Sequence, residues 1–205
     1  MKRWAAIFAV AGLLALAYCA FEYFRASRYQ ATEKSRFARE TDSHAQPDAG
    51  AVPAGPAEAP VREHPRRGDA MALLTIPRIG LSSVVLEGAE ARELKLGPGH
   101  IASTPLPGEG GNFAVAGHRD TFFHALRLIR TDDVVQVRSR GGEFQYRVVS
   151  LKIVSPKDVQ VLDPTGRETL TLVTCYPFDF VGAAPKRFIV QADCEDCPGR
   201  TANPH

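Results

Sequence analysis

The stretch TLTLVTCYP, residues 169–177, decides the fold prediction, because its side chains alternate as they do in a β-strand. Leu170 and Leu172 alternate with threonines, and a period of two puts alternate residues on opposite faces of a sheet. Cys175 stands at the end of the run, and Pro177 stops it. The stretch therefore predicts a strand whose last side chains include a thiol on a rigid support.

Six further runs share this character: they are rich in β-branched and aromatic residues, and most are bounded by Gly, Pro or Asp. They are residues 71–76, 83–86, 112–116, 134–138, 143–154 and 188–192. Gly141-Gly142 lies between two of them and indicates a hairpin. Residues 90–96 and 121–128 are predicted to be short helices. Seven or eight short strands with few helices indicate an all-β closed barrel or a sandwich.

The composition suits one globular domain with an anchor. The chain has 205 residues, of which 44% are hydrophobic and 23% charged, and this length argues against two full domains. The net charge of +2, with no basic stripe and no interleaved aromatic residues, argues against a nucleic-acid partner.

Residues 4–21 carry no charge. As a helix they would span about 27 Å, close to the thickness of a bilayer's hydrocarbon core. We expect a retained anchor in residues 1–24 with its N-terminus in the cytoplasm, because only a short basic stub precedes it. A cleaved signal peptide is the alternative, although its small-residue site, Ala15-Leu16-Ala17, lies inside the apolar run. Cys19 is interpreted as one more apolar residue of the anchor.

Residues 25–69 are predicted to be a juxtamembrane stalk followed by a linker. Residues 22–39 are polar and compatible with a helix, whereas residues 41–69 are rich in Ala, Pro and charge. Such a segment buries too little apolar surface to offset its ordering entropy, and its prolines favour an extended spacer that holds the domain off the membrane. The barrel is predicted to occupy residues 70–194, and residues 195–205 a flexible tail.

His118 ends another predicted strand, in Gly117-His118-Arg119. A histidine there can act as general acid and base to a thiol on a neighbouring strand, and Gly117 permits close backbone approach or an unusual turn. Arg187 begins the strand that follows Cys175, where its guanidinium can donate to an oxyanion. His100, in a predicted turn, is interpreted as structural. His124, on a predicted helix, is a candidate for a supporting role.

Together these sites resemble the sortase family. The family's active-site strand reads Thr-Leu-x-Thr-Cys, as residues 171–175 do; its histidine commonly lies in Gly-His-Arg, and its arginine opens the strand after the cysteine. The similarity runs over roughly residues 73–191 and includes GPGH at 97–100. The run GHRDTFF at 117–123 and the short domain resemble class D-like sortases, including those of Gram-negative bacteria. The resemblance implies an eight-stranded closed β-barrel behind one transmembrane helix.

The resemblance also implies an activity, cysteine transpeptidation outside the cytoplasm. Cys175 would attack an LPxTG-like sorting signal on a protein substrate, Arg187 would stabilise the oxyanion, and His118 would transfer protons. An amine acceptor would then release the thioacyl enzyme, and no cofactor or metal is implied. Thr174 is expected to help shape the peptide site.

Other interpretations stay open from the sequence. One is a cysteine peptidase that mainly hydrolyses, and another is a transpeptidase acting on peptidoglycan stem peptides, although that class has its histidine and cysteine close in sequence. A membrane-tethered binding module, with Cys175 merely buried, is a third. Cys194 and Cys197 form a CxxC pair beyond the family pattern, and we interpret it as a local disulfide because no second ligand pair accompanies it.

Overall fold

The computed structural model of the protein describes residues 2–44 and 64–198. Within this part of the chain lie two α-helices, α1 (Lys2–His44) and α2 (Ala91–Leu94). The strands are β1 (Ala70–Ile76), β2 (Leu81–Glu87), β3 (Gly99–His100), β4 (Asn112–Gly117), β5 (Val134–Ser139), β6 (Gly142–Val154), β7 (Thr169–Tyr176) and β8 (Lys186–Asp196). Short 3₁₀ turns cover Pro77–Ile79, His124–Leu128 and Val159–Leu162.

The strands close into one barrel in the order β1-β2-β3-β4-β7-β8-β6-β5, with β5 pairing back to β1. Parallel pairing joins β2 to β3 and β4 to β7. The predicted hairpin joins β5 to β6, where Ser139 pairs with Gly142. The prediction of an eight-stranded closed barrel is thus confirmed, and the sandwich is excluded.

The two-residue strand β3 closes the barrel between β2 and β4. Gly99 pairs with Leu86 on one side and with Ala116 on the other. The sequence predicts a turn here, which is wrong, because two residues beside Pro98 are too few to show any alternation. A Cβ atom on Gly99 would collide with the backbone of Gly88, so a residue with a side chain would separate the strands.

Alternate residues of the strands fill the barrel interior. Leu170 and Leu172 of β7 are fully buried there, together with Phe113 and Val115 of β4. Burying one such side chain contributes about 1.5–3 kcal/mol. The alternation that predicts β7 therefore also fixes which of its side chains face outward.

The helices differ from their predicted extents. The helix predicted at 90–96 is only Ala91–Leu94, and the one at 121–128 is a 3₁₀ turn from His124 to Leu128. Tight turns take up the preceding residues, since the backbone nitrogen of Phe123 donates to the His118 oxygen at 3.0 Å. Both segments are thus helical only over part of their predicted length, and the second is a 3₁₀ turn.

Helix α1 is continuous from Lys2 to His44, and it is long and apolar enough near the N-terminus to cross a membrane. The predicted stalk, residues 22–39, is the second half of this helix. Its inner face packs on the barrel, because Ala26, Gln30 and Phe37 are buried. Most of the predicted Pro- and Ala-rich linker, residues 45–63, lies outside the described residues.

Strand β8 runs beyond its predicted end at residue 192. It pairs with β6 as far as Asp196, with Cys194 opposite Tyr146. Cys194 and Cys197 are joined in a disulfide, as the sequence predicts. The start of the predicted tail therefore belongs to the end of β8 and to the turn after it, which the disulfide closes.

An ion pair links the turn after β1 to the residue before β5. Nη2 of Arg78 donates to Oδ2 of Asp133 at 2.6 Å, and its Nε donates to Oδ1. Asp133 is buried and also accepts from the backbone nitrogen of Arg130 at 2.8 Å. These hydrogen bonds, that from Arg78 above all, hold the pKa of Asp133 below its ordinary value.

This ion pair predicts a pH dependence of stability. A carboxyl group whose pKa is lowered by folding stabilises the protein above its unfolded pKa of about 3.9, and that stability is lost as the pH falls through the lower folded pKa. We expect Asp133→Asn to lower the urea midpoint at pH 7 and to flatten its decline between pH 5 and pH 3. Asp132→Asn is the matched control, and an equal response of both variants would contradict the assignment.

Candidate active site

The ends of β4 and β7 bring two predicted site residues together. The two strands run parallel, and Gly117 pairs with Thr174. His118 directly follows the last residue of β4, and Cys175 is the next residue of β7. Because adjacent strands lie about 4.8 Å apart, the imidazole and the thiol extend from neighbouring positions at one end of the barrel.

Strand β8 adds the third predicted residue. Cys175 pairs with Arg187 in the antiparallel ladder of β7 and β8. Side chains directly opposite one another in such a ladder share a face, with Cβ atoms about 4.5–5.5 Å apart. His118, Cys175 and Arg187 therefore follow one another across three adjacent strands.

The alternation of β7 determines the face on which this row lies. Leu172 belongs to the barrel core and Thr174 is buried, so Val173 and Cys175 point to the outer face. Cys175 is an unpaired cysteine and is half-buried, and His118 is exposed. The row thus opens to solvent and to ligands rather than into the core.

Arg187 is held by backbone carbonyls at the start of β8 and in the loop before it. Its Nη1 atom donates to the carbonyl oxygens of Lys186 at 3.0 Å and Ala184 at 3.3 Å. A guanidinium carries five N–H donors in a rigid fork. Backbone contacts therefore orient the group beside Cys175, where it can donate to an oxygen that becomes negatively charged.

Gly117 lets a phenyl ring close over the end of β4. A Cβ atom on Gly117 would lie 2.6 Å from the ring of Phe123, which is closer than any real side chain permits. Phe123 is fully buried in the core. The close approach expected of this glycine is thus made to a side chain, and it fixes the loop that carries His118.

His100 and His124, the other two histidines weighed in the sequence analysis, have different surroundings. His100 is buried, with Nδ1 2.7 Å from Oε2 of Glu87 and Nε2 3.0 Å from the Thr104 carbonyl oxygen. His124 lies in a 3₁₀ turn, with Nδ1 3.3 Å from the carbonyl oxygen of Arg119. Within residues 2–44 and 64–198, no group of three or more His, Cys, Asp or Glu side chains is arranged to hold a metal ion.

Thr174 faces the barrel interior rather than the outer face on which Cys175 lies. It is buried, and its hydroxyl donates to the carbonyl oxygen of Gly117 at 2.7 Å. This bond joins β7 to β4 one residue before Cys175 and one before His118. Thr174 can therefore affect a bound peptide by fixing the spacing of those two side chains.

Arg119 is a site residue whose role the sequence analysis missed. It is buried, and its guanidinium donates to the carbonyl oxygens of Pro177 at 2.9 Å, Gly182 at 3.1 Å and Phe180. It also lies 5.9 Å from the centre of the Phe180 ring. Arg119 thus ties the residue after His118 to the loop after Cys175. Its place in the Gly-His-Arg motif was the only signal for it.

The described barrel matches a known family model. The model described as "Sortase domain" matches residues 74–195, which include all three residues of the row. The chain is 38% identical to Sortase D of Bacillus subtilis over 127 residues, or 62% of this chain and 64% of that protein. It is 33% identical to Sortase SrtE1 of Streptomyces coelicolor over 129 residues, or 54% of this chain and 37% of that protein. The matches therefore span less than two thirds of either relative.

Solved structures agree with this match. A Clostridium perfringens Sortase D5 transpeptidase superposes with a TM-score of 0.63 at 26% identity, covering 83% of this chain and 98% of that one. A sortase E mutant from Streptomyces avermitilis gives a TM-score of 0.56 at 35% identity, covering 64% and 91%. Sortase C of Clostridium perfringens, solved with the C-terminal cell wall sorting motif, gives 0.59 at 25% identity, covering 64% and 73%.

The Arg119 contacts predict a measurable loss of loop order. Arg119→Ala removes the donors of three loop carbonyls, and leaving such groups unpaired costs about 1–3 kcal/mol. We expect a melting temperature lower by about 5 °C and faster cleavage by chymotrypsin at Phe178 and Phe180. The exposed Arg140→Ala, in the distant β5–β6 hairpin, is the control. Equal cleavage rates in the two variants would show that Arg119 does not hold the loop.

Proposed function

The chain belongs to the sortase family, and from that premise we propose that it is a membrane-anchored cysteine transpeptidase. It cleaves an LPxTG-like sorting signal through a thioacyl enzyme and transfers the acyl chain to an amine acceptor. The 38% identity to a Sortase D and the similarity to a Sortase D5 transpeptidase support a class D-like member of the family.

One observation carries the proposal: the row of His118, Cys175 and Arg187 across the ends of β4, β7 and β8. A cysteine attacks a peptide carbonyl as a thiolate, and the reaction needs a proton carrier and an oxyanion donor beside it. The row offers one group of each kind on one outer face. These three roles remain our proposal.

The first half-reaction forms the thioacyl enzyme. The Cys175 thiolate attacks the carbonyl carbon of the Thr in the signal, and a C–S bond forms while the oxygen becomes negative. Arg187 donates hydrogen bonds to this oxygen. The C–N bond to the following glycine then breaks, and the protonated imidazole of His118 gives its proton to the departing amine.

The second half-reaction reverses these steps with another amine. The acceptor nitrogen attacks the thioester carbon and loses a proton to His118. The C–S bond breaks, a new amide remains, and the thiolate and imidazolium are restored. Thr174 contributes indirectly, because its bond to Gly117 sets the spacing of the strands that carry the thiol and the imidazole.

The proposed compartment is the extracytoplasmic side of the membrane. Helix α1 can serve as a single-pass anchor, and the Cys194–Cys197 disulfide suits an oxidising environment. The sortase C structure solved with the C-terminal cell wall sorting motif supports the substrate class proposed here. A protein carrying such a C-terminal signal is the expected substrate.

The nucleophile is tested by replacing it. We expect Cys175→Ala to abolish release of the C-terminal fragment from a labelled LPxTG peptide and to leave the circular dichroism spectrum unchanged. Hydroxylamine should trap the acyl fragment as a hydroxamate with the wild-type chain only. Full turnover by the variant would make the assignment of Cys175 as the nucleophile wrong, whereas a thiol that is inert to a mild alkylating reagent would favour the binding module.

The proposed roles of His118 as proton carrier and Arg187 as oxyanion donor are tested by measuring the turnover rate of variants. We expect His118→Ala and Arg187→Ala each to lower kcat/KM by about 100-fold or more, the usual size of such contributions, with unchanged circular dichroism. His124→Ala is the matched control, because His124 lies near His118, with Nδ1 3.3 Å from the Arg119 carbonyl oxygen, but is not part of the row. A larger loss in the His124 variant would make our choice of histidine wrong.

A further inference from the structure

Asn112 is a buried polar residue on the outer face of β4. It is 1% exposed and is the first residue of the strand. Phe113 and Val115 belong to the barrel core, so the alternation of the strand places Asn112 outward. Strand β7, which carries Cys175 on the same face, runs beside β4 in parallel. The side chain therefore lies on the outer face that leads along the strands to Cys175.

The amide of Asn112 joins β4 to two other segments. Its Nδ2 donates to the carbonyl oxygens of Val161 at 3.0 Å and Asp163 at 3.3 Å, in the loop of residues 155–168 that joins β6 to β7. Its Oδ1 accepts from the Thr171 hydroxyl of β7 at 2.7 Å. Carbonyl oxygens only accept, so these partners also settle which end of the amide is the nitrogen. One side chain thus fixes the loop and β7 to each other.

This amide is the main restraint on the first part of the loop. Within the described residues, it makes the only hydrogen bonds between residues 156–164 and the rest of the barrel, because their other hydrogen bonds are turns inside the loop. No residue of the 3₁₀ turn Val159–Leu162 is buried, and Val159 is 66% exposed. Since core packing does not hold the turn, its position depends on Asn112.

The loop lies at a fixed distance from the thiol along β7. Thr171 and Cys175 are four residues apart on the outer face, which is about 13 Å at the rise of a strand. Between them lies Val173, which pairs with Ala116 on one side and with Ile189 on the other. These three side chains are small or apolar. An extended peptide that is bonded to the thiol and follows this surface therefore reaches the loop with about its fourth residue.

We propose that Asn112 is a positioning residue that holds Val161 and Leu162 against the fourth residue before the scissile bond, and so determines the preference for an apolar side chain there. In an LPxTG-like signal this residue is the leucine. The two loop side chains are apolar and half-buried, and a leucine that packs against them is removed from water. Asn112 itself touches no reacting atom. The inference rests on the proposed function and adds the residue through which one of its specificities is set.

The test compares two enzymes with two peptides. The full chain in detergent and its Asn112→Ala variant are assayed with a labelled LPxTG peptide and with the same peptide carrying alanine in place of the leucine. We expect the leucine to raise kcat/KM by about 20-fold or more in the wild type and by less than about threefold in the variant. The loss should appear as a higher KM for the leucine peptide with kcat within about twofold, since only binding contacts are removed.

Two further variants locate the effect in the amide. Asn112→Asp keeps an oxygen for the Thr171 hydroxyl but loses both donors to the loop carbonyls, so we expect the same weak leucine preference as in Asn112→Ala. Thr171→Val leaves both donors in place and should retain the wild-type preference. Hydrogen exchange at the backbone amides of residues 156–164 should become faster in the two Asn112 variants only.

Loss of stability is controlled by Asp133→Asn, which weakens the ion pair with Arg78 before β5 and leaves the loop contacts in place. We expect this variant to keep the wild-type leucine preference. A lost preference in Asp133→Asn or in Thr171→Val would overturn the inference, because general destabilisation would then explain the effect. If circular dichroism shows that Asn112→Ala does not fold, Asn112→Asp decides.

The remaining outcomes separate the inference from the proposed function. An unchanged leucine preference in the Asn112 variants overturns the inference, and so does a wild-type chain that cleaves both peptides equally well. In either case the proposed function stands, because the peptides are cleaved. A wild-type chain that cleaves neither peptide overturns the proposed function, and the inference with it.

Discussion

The parallel pairing of β4 with β7 is the constraint on which the site depends. His118 and Cys175 are far apart in the sequence, so no single local element, such as a turn or a helix, brings them together. The backbone ladder that sets Gly117 beside Thr174 makes them neighbours, and the antiparallel ladder to β8 adds Arg187. A shift of one residue in either ladder would send the thiol to the opposite face. The register is fixed because Leu170 and Leu172 must both remain in the core.

Buried polar side chains that bind backbone groups hold the segments around this ladder. Arg119 binds three carbonyls of the loop after β7, and Gln30 binds the edge of β2. Asn112 donates to the carbonyl oxygen of Val161 at 3.0 Å and accepts from the Thr171 hydroxyl at 2.7 Å. Leaving a buried polar group without a hydrogen-bond partner lowers the stability of the fold by about 1–3 kcal/mol. Each of these contacts therefore favours one position of the segment that it binds.

The sequence predicted the strands and the row well, because each depends on local patterns. Alternation places β7 within two residues of its true end, and the strand-end positions of His118 and Arg187 follow from the same reasoning. The missed features depend on contacts between distant residues. Arg119 meets carbonyls about sixty positions later, and Gln30 meets β2 more than fifty positions later. Strand β3 is too short to show an alternating sequence pattern. The polar sequence of residues 22–39 is compatible with a free helix and with a helix that packs on a barrel, so it could not distinguish the two.

The continuity of α1 has a consequence for motion. A domain on a loose tether samples every orientation above a membrane, whereas a domain fixed to a rigid helix keeps only rotation about that helix and translation in the plane. If α1 is the proposed anchor, an encounter with a protein in the same membrane becomes a two-dimensional search, in which the angle of rotation about α1 decides whether His118, Cys175 and Arg187 face that protein. A rigid α1 therefore shortens the distance over which the Cys175 thiol can move, and it raises the fraction of lateral collisions in which the thiol lies at the correct height.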